Sequence, residues 1–180
     1  MIAPAAVPAT PAGPAREPRA PAAEPRVVVI GVGNPMRRDD GAGIAVVERA
    51  RALLRPTVEI QTLSGEATSL LDAWDGADLA VVVDAVRCDN PPASGVVRID
   101  VTNEPQAVPR WSGGASSHGL GVAEAIALAR SLDRLPPHLV LLLVALADEG
   151  QGAGLSPIVE ERCDAAVGLL VDEVRSAHDS

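Results

Sequence analysis

Three short stretches of the 180-residue chain carry side chains that could do chemistry together: Asp39-Asp40, Asp84 and His118. The acidic pair ends the run Gly31-Val32-Gly33-Asn34-Pro35-Met36-Arg37-Arg38, Asp84 follows the apolar run Leu79-Ala80-Val81-Val82-Val83, and His118 sits in Ser116-Ser117-His118-Gly119. Two carboxylates and one imidazole can form a three-ligand site for a transition-metal ion. Imidazole suits nickel, zinc or iron, and carboxylates add hard oxygen and neutralise charge. Three protein ligands also leave positions open for substrate or water.

Each of these residues also has a plainer reading. Asp39 can cap the helix that follows, accepting the free N–H groups of its first turn, and Asp40 can act as a partner to the helix dipole. Asp84 can be a satisfied strand-end cap, although a carboxylate there often marks a site. His118 can be an ordinary loop histidine, but the flanking Gly and Ser, which permit close backbone approach, favour function. Gly31-Val32-Gly33 resembles the start of a dinucleotide fingerprint, yet Met36 stands at the third glycine position. Ser116 and Ser117 suggest a serine hydrolase, but there is no G-x-S-x-G elbow, and a serine adjacent to its histidine rarely faces it productively. Cys88 lies near Asp84 and could ligate a soft metal, but an unpaired thiol is more often a small buried hydrophobe. His138 and His178 read as without specific roles, and Cys163 and Val167 as core.

The elements that must position these groups alternate along the chain. Val27 to Ile30 reads as a buried strand ending in a turn, and Ile44, Val46, Val47, Ala50, Leu53 and Leu54 follow a helical period. Pro56 stops that helix, and Val58 to Leu63 alternates like a half-exposed strand. Ala67 to Trp74 reads as a short helix, and Leu79 to Val83 as a strand ending at Asp84. Gly95 to Val101 is a further strand. The Gly/Ser-rich loop Ser112 to Ser117 leads to a helix over Val122–Leu132, and Leu139 to Leu146 is a central strand. Pro157, after Ser156, opens a last helix to about Arg175. Strands alternating with helices, with continuously apolar strands, predict an α/β three-layer sandwich. Its sheet is mixed, mainly parallel and about five-stranded, with helices on both faces. Ligands in such sheets sit beyond the carboxyl ends of the strands.

Composition narrows the function classes. Apolar residues make up 47% and charged residues 22%, which excludes a disordered chain or a collagen-like fibre. There is no Phe or Tyr, so stacking platforms for single-stranded nucleic acid are missing, and a net charge of −9 repels phosphate backbones. All fifteen basic residues are Arg, which removes lysine Schiff-base and P-loop chemistry. Two cysteines without a CxxC pair point to a reduced, cytoplasmic setting, and no apolar run is long enough to cross a bilayer. Residues 1–26, rich in Ala and Pro, read as a disordered or polyproline-II arm rather than a secretory signal, and 27–176 as a single α/β domain.

The stretch GVGNPMRRDDGAG, the strand end VVVDAV, the SSHGLG loop and the GLSP helix start stand in an order and spacing that resemble the hydrogenase maturation endopeptidases. The resemblance spans essentially residues 27–175. It implies a cytoplasmic, monomeric protease with a mixed five-stranded sheet. Such a protease removes a short C-terminal extension from the large-subunit precursor of nickel–iron hydrogenases once nickel is in place. The family's metal-contacting triad, matched motif by motif, falls on Asp40, Asp84 and His118. The family often has Glu at the first of these, so Asp40 is one methylene shorter. Many members carry Gly-Thr after the second strand, where this chain reads Ser64-Gly65-Glu66-Ala67-Thr68. The implied ion is nickel, brought by the precursor and helping water attack the scissile carbonyl. Two other classes fit the residues: a non-catalytic chaperone for a hydrogenase subunit or for nickel, and a nucleotide-binding α/β protein using Gly31 and Gly33.

Overall fold

The computed structural model describes residues 24–108 and 117–178. Its elements are β1 (Val27–Val32), α1 (Ala42–Ala50), β2 (Glu59–Leu63), α2 (Ala67–Trp74), β3 (Leu79–Val86), β4 (Val96–Asp100), α3 (Ser117–Ser131), β5 (His138–Ala145) and α4 (Pro157–His178). A 3₁₀ turn over Arg38–Gly41 precedes α1. The strands form one sheet in the order β2-β1-β3-β5-β4, with β4 antiparallel to β5 and the other pairs parallel. The expected mixed, mainly parallel, five-stranded α/β architecture is therefore present.

β-branched runs make the centre of this sheet. Every residue of β1 and β3 is buried, as sheet strands covered on both faces require. Alternation then sorts their side chains into two cores. Val27, Val29, Val81, Val83, Leu142 and Val144 pack with Val46, Val47, Val159 and Cys163 of α1 and α4. Val28, Ile30, Val82, Leu141 and Leu143 pack with Leu70, Trp74, Val122 and Ile126 of α2 and α3.

Several boundaries differ from the sequence reading, three of them with consequences for burial or for the site. β3 does not end at Asp84 but continues to Val86, because Asp84, Ala85 and Val86 pair with Leu143, Val144 and Ala145 of β5. The helix after the acidic pair ends at Ala50, so Leu53 leaves the core and is 58% exposed. The third helix begins at Ser117, five residues early, so His118 lies in a helical turn and not in a loop. The arm over residues 1–23 lies outside the described residues, as does most of the Ser112–Ser117 loop.

Candidate active site

The first functional segment is the connection from β1 to α1. Gly33 adopts φ +144°, and a Cβ there would overlap the carbonyl oxygen of Asp40. A Cβ on Gly43 would overlap the carbonyl oxygens of Val32 and Val83, the latter on the neighbouring strand. The glycines thus press the turn and the start of α1 onto the carboxyl ends of β1 and β3. Gly31 serves the same packing, since a Cβ would lie 2.5 Å from Val47 Cγ2 and 2.7 Å from the Gly43 carbonyl oxygen. Two carboxylates, Asp39 and Asp40, stand in the turn that opens α1, where a pyrophosphate would need open N–H groups and no negative charge, which argues against the nucleotide reading.

Asp40 is 4% exposed, and its Oδ2 accepts the Asn34 N–H at 3.0 Å. Asn34 is itself set by an Asx turn, its Oδ1 accepting the Met36 N–H at 2.9 Å. Asp39 does not cap α1, which has no side-chain cap. Its carboxylate instead reaches across to the β5–α4 connection. It accepts the N–H groups of Ala147 at 3.0 Å, Asp148 at 2.6 Å and Ser156 at 2.6 Å, and the Ser156 hydroxyl at 2.9 Å. Burial pushes its pKa up, but these donors, the Ser156 N–H foremost, outweigh burial and hold it below the usual carboxylate range.

Asp84 is fully buried and shares the strand parity of Val82 and Val86, which pack on the α2–α3 side. Its Oδ1 accepts the Ala85 N–H at 2.8 Å, while Oδ2 has no hydrogen-bond partner among the described residues. Burial drives its pKa up to about 8, against the pull of the Ala85 N–H, and the nearby Asp40 carboxylate adds to the rise. Two acids are thus brought to one end of the sheet, and one of them carries a buried oxygen without a hydrogen-bond partner among the described residues.

The third element arrives from α3. A Cβ on Gly121 would overlap the Gly65 carbonyl oxygen, so α3 meets the β2–α2 loop backbone to backbone. Gly65 takes φ +86°, and Gly33 donates its N–H to the Leu63 carbonyl at 3.1 Å, which places this loop at the same strand ends as Asp40 and Asp84. The helical turn carrying His118 is one turn before Gly121. The side chains of Ser116, Ser117 and His118 lie outside the described residues, as does that of His178.

The remaining candidates fall elsewhere. Among the described residues, no three His, Cys, Asp or Glu side chains form a metal-holding group. Cys163 is core, buried with its thiol pKa pushed up to about 11, mainly by desolvation, and Cys88 is a half-buried free thiol. Val167, read as core, is only partly buried and packs against the α1–α4 core. His138 is exposed at the opposite end of the sheet, where it lines a cavity of about 460 Å³ with Leu79, Asp100 and Glu173. Glu66 is exposed and accepts the Thr68 hydroxyl at 3.1 Å. Asn34, Gly121 and Ser156 also shape the site, although the sequence assigns none of them a functional role. The Asn-Pro pair signals a turn for the first; Gly121 acts through a backbone approach and Ser156 through its N–H and hydroxyl on Asp39, both across the fold and without a local signature.

The family model for hydrogenase maturation proteases matches residues 44–173. The HupD hydrogenase expression/formation protein of Thiocapsa roseopersicina is 32% identical, covering 83% of this chain and 67% of its own length. The hydrogenase 2 maturation protease of Escherichia coli is 27% identical over 84% of this chain and 92% of its own. Among solved structures, the hydrogenase maturating endopeptidase HybD from E. coli superposes with a TM-score of 0.71 at 25% identity, covering 84% of this chain and 93% of its own.

Proposed function

The chain belongs to the hydrogenase maturation protease family, a hydrolase of peptide bonds, and on that premise we propose how its site works. The chain removes the C-terminal extension of the large-subunit precursor of a nickel–iron hydrogenase after nickel insertion. Asp40, Asp84 and His118 contact the nickel that the precursor carries. The observation that carries this reading is the bare Oδ2 of Asp84. A buried carboxyl oxygen without a hydrogen-bond partner costs free energy, and a cation arriving with the substrate can take the place of both the proton and the missing partner.

The chain's own residues then have defined tasks. In the free protein Asp84, with a pKa of about 8, holds a proton at neutral pH, and it gives that proton up when a cation binds. Asp40 brings the second negative charge to the same strand ends, and His118 adds an imidazole from α3. Bound in the site, the nickel supplies a Lewis acid that polarises the scissile carbonyl. A site carboxylate accepts the proton of the attacking water and passes it to the leaving amine as the peptide bond breaks. A precursor without nickel offers the three side chains nothing to hold, so recognition doubles as a checkpoint. The unpaired thiols of Cys88 and Cys163 support a cytoplasmic location.

The test is incubation of nickel-loaded precursor with wild type and with His118→Ala, read as loss of C-terminal mass. Wild type should cut and His118→Ala should not, with its circular dichroism unchanged. Normal cleavage by His118→Ala would refute the site. Binding by wild type without any mass loss would support the chaperone reading instead.

A further inference from the structure

Asp40 can serve the site only if its direction is fixed, and it sits in a turn of four residues. The residue before it, Asp39, is fully buried and spends its whole carboxylate on the β5–α4 connection. Oδ1 takes the Ser156 N–H at 2.6 Å, and Oδ2 takes the Ala147 and Asp148 N–H groups at 3.0 and 2.6 Å and the Ser156 hydroxyl at 2.9 Å. The Asp39 N–H in turn donates to the Asp148 carbonyl at 3.3 Å. One residue further back, Arg38 holds φ +50°, a backbone conformation that L side chains rarely adopt. It is kept there by its N–H to the Gly152 carbonyl at 2.8 Å, while the Gly152 N–H returns to the Met36 carbonyl at 2.9 Å. The same two loops are therefore tied at Met36, Arg38 and Asp39, immediately before Asp40.

We infer that Asp39 is a positioning residue of the protease. By clamping the β5–α4 connection onto the turn, it fixes the rotation of the 3₁₀ turn and so aims Asp40 toward Asp84. In a 3₁₀ turn, successive side chains diverge by about a third of a turn. With Asp39 locked on one side, Asp40 has one direction left. The clamp is ionic, since four donors converge on one carboxylate. An amide in its place would turn N–H groups toward donors. The role assumes that Asp40 works in the site as proposed above.

Steady-state cleavage of nickel-loaded precursor tests this with Asp39→Asn, Ser156→Ala, Asp40→Ala and a core control, Val159→Ala. Val159 is buried in α4; its side chain makes none of the clamp's hydrogen bonds, and its own N–H bond to the Ser156 carbonyl at 3.0 Å is a backbone contact that Ala keeps. The assays run below the melting temperature of every variant. Asp39→Asn should lower kcat at least tenfold with KM within about twofold, and Ser156→Ala, which keeps three of the four donors, should lower kcat two- to threefold. Val159→Ala should lower Tm and leave kcat alone. Nuclear magnetic resonance adds a readout independent of turnover. The Asn34 amide, which donates to Asp40 Oδ2 at 3.0 Å, should shift in Asp39→Asn and stay in place in Val159→Ala. Wild-type kcat with an unmoved Asn34 amide in Asp39→Asn would overturn the inference. So would kcat losses that track Tm equally in Asp39→Asn and Val159→Ala. If Asp39→Asn does not fold, Ser156→Ala decides alone, and unchanged kcat there overturns it. Full activity of Asp40→Ala would instead bring down the reading of the site, and the positioning role with it.

Discussion

Replacing Asp84 with Asn should change how stability depends on pH, with a sign and size that follow from the site. The carboxyl ionises near its ordinary 3.8 in the unfolded chain and at about 8 in the native one, chiefly because it is desolvated. Between those values the native state holds a proton that the unfolded state has released, so wild-type stability falls as pH rises from about 4 to about 8 and then levels off. The contribution is complete below pH 4 and gone above pH 8. Its slope is roughly 1 kcal/mol per pH unit, with a ceiling on the order of 5 kcal/mol across the window. Asn keeps an acceptor for the Ala85 N–H at 2.8 Å but places a buried NH₂ where Oδ2 has no partner among the described residues. That adds a constant cost of about 1–3 kcal/mol and no slope. Urea denaturation of the chelator-treated full chain at pH 5, 6, 7, 8 and 9 measures both variants, and titrating groups that do not interact with Asp84 cancel in the difference. Asp84→Asn should be less stable than or equal to wild type at pH 5, and should overtake it by pH 8 to 9. Curves that stay parallel across the range would refute the claim that Asp84 is held protonated in a dry site.

Two further substitutions probe how the site is assembled. Gly121→Ala should disrupt the contact between α3 and the β2–α2 loop, because its Cβ would overlap the Gly65 carbonyl oxygen; we expect loss of about 2 kcal/mol or more in denaturation and at least tenfold slower precursor cleavage. Trp74→Phe removes a fully buried indole N–H that has no acceptor among the described residues. The lost volume and the relieved desolvation oppose each other, so the stability change should stay within about 1 kcal/mol in urea titration, with cleavage unaffected.

How much of this was legible in the sequence depends on the range over which each residue acts. Val27–Ile30, Ala67–Trp74 and the Pro157 helix start are set by neighbours in the chain, through β-branching, helical period and a proline at the first turn, and the structure has them where their residues suggest. Asp84 was legible as an acid closing an apolar run, and it lies near the carboxyl end of β3. Its protonation was not, since burial arises only when α2 and α3 cover that face of β3. The adjacent acids were the hardest to separate. Local chemistry makes Asp39 a helix cap, whereas its four donors lie more than a hundred residues away, on Ala147, Asp148 and Ser156. Two neighbouring aspartates therefore read alike in one dimension and differ in three. One is saturated with donors and holds its charge in place. The other accepts the Asn34 N–H and stands near a buried carboxyl oxygen that has no hydrogen-bond partner among the described residues, a difference in three-dimensional surroundings on which the proposed division of labour rests.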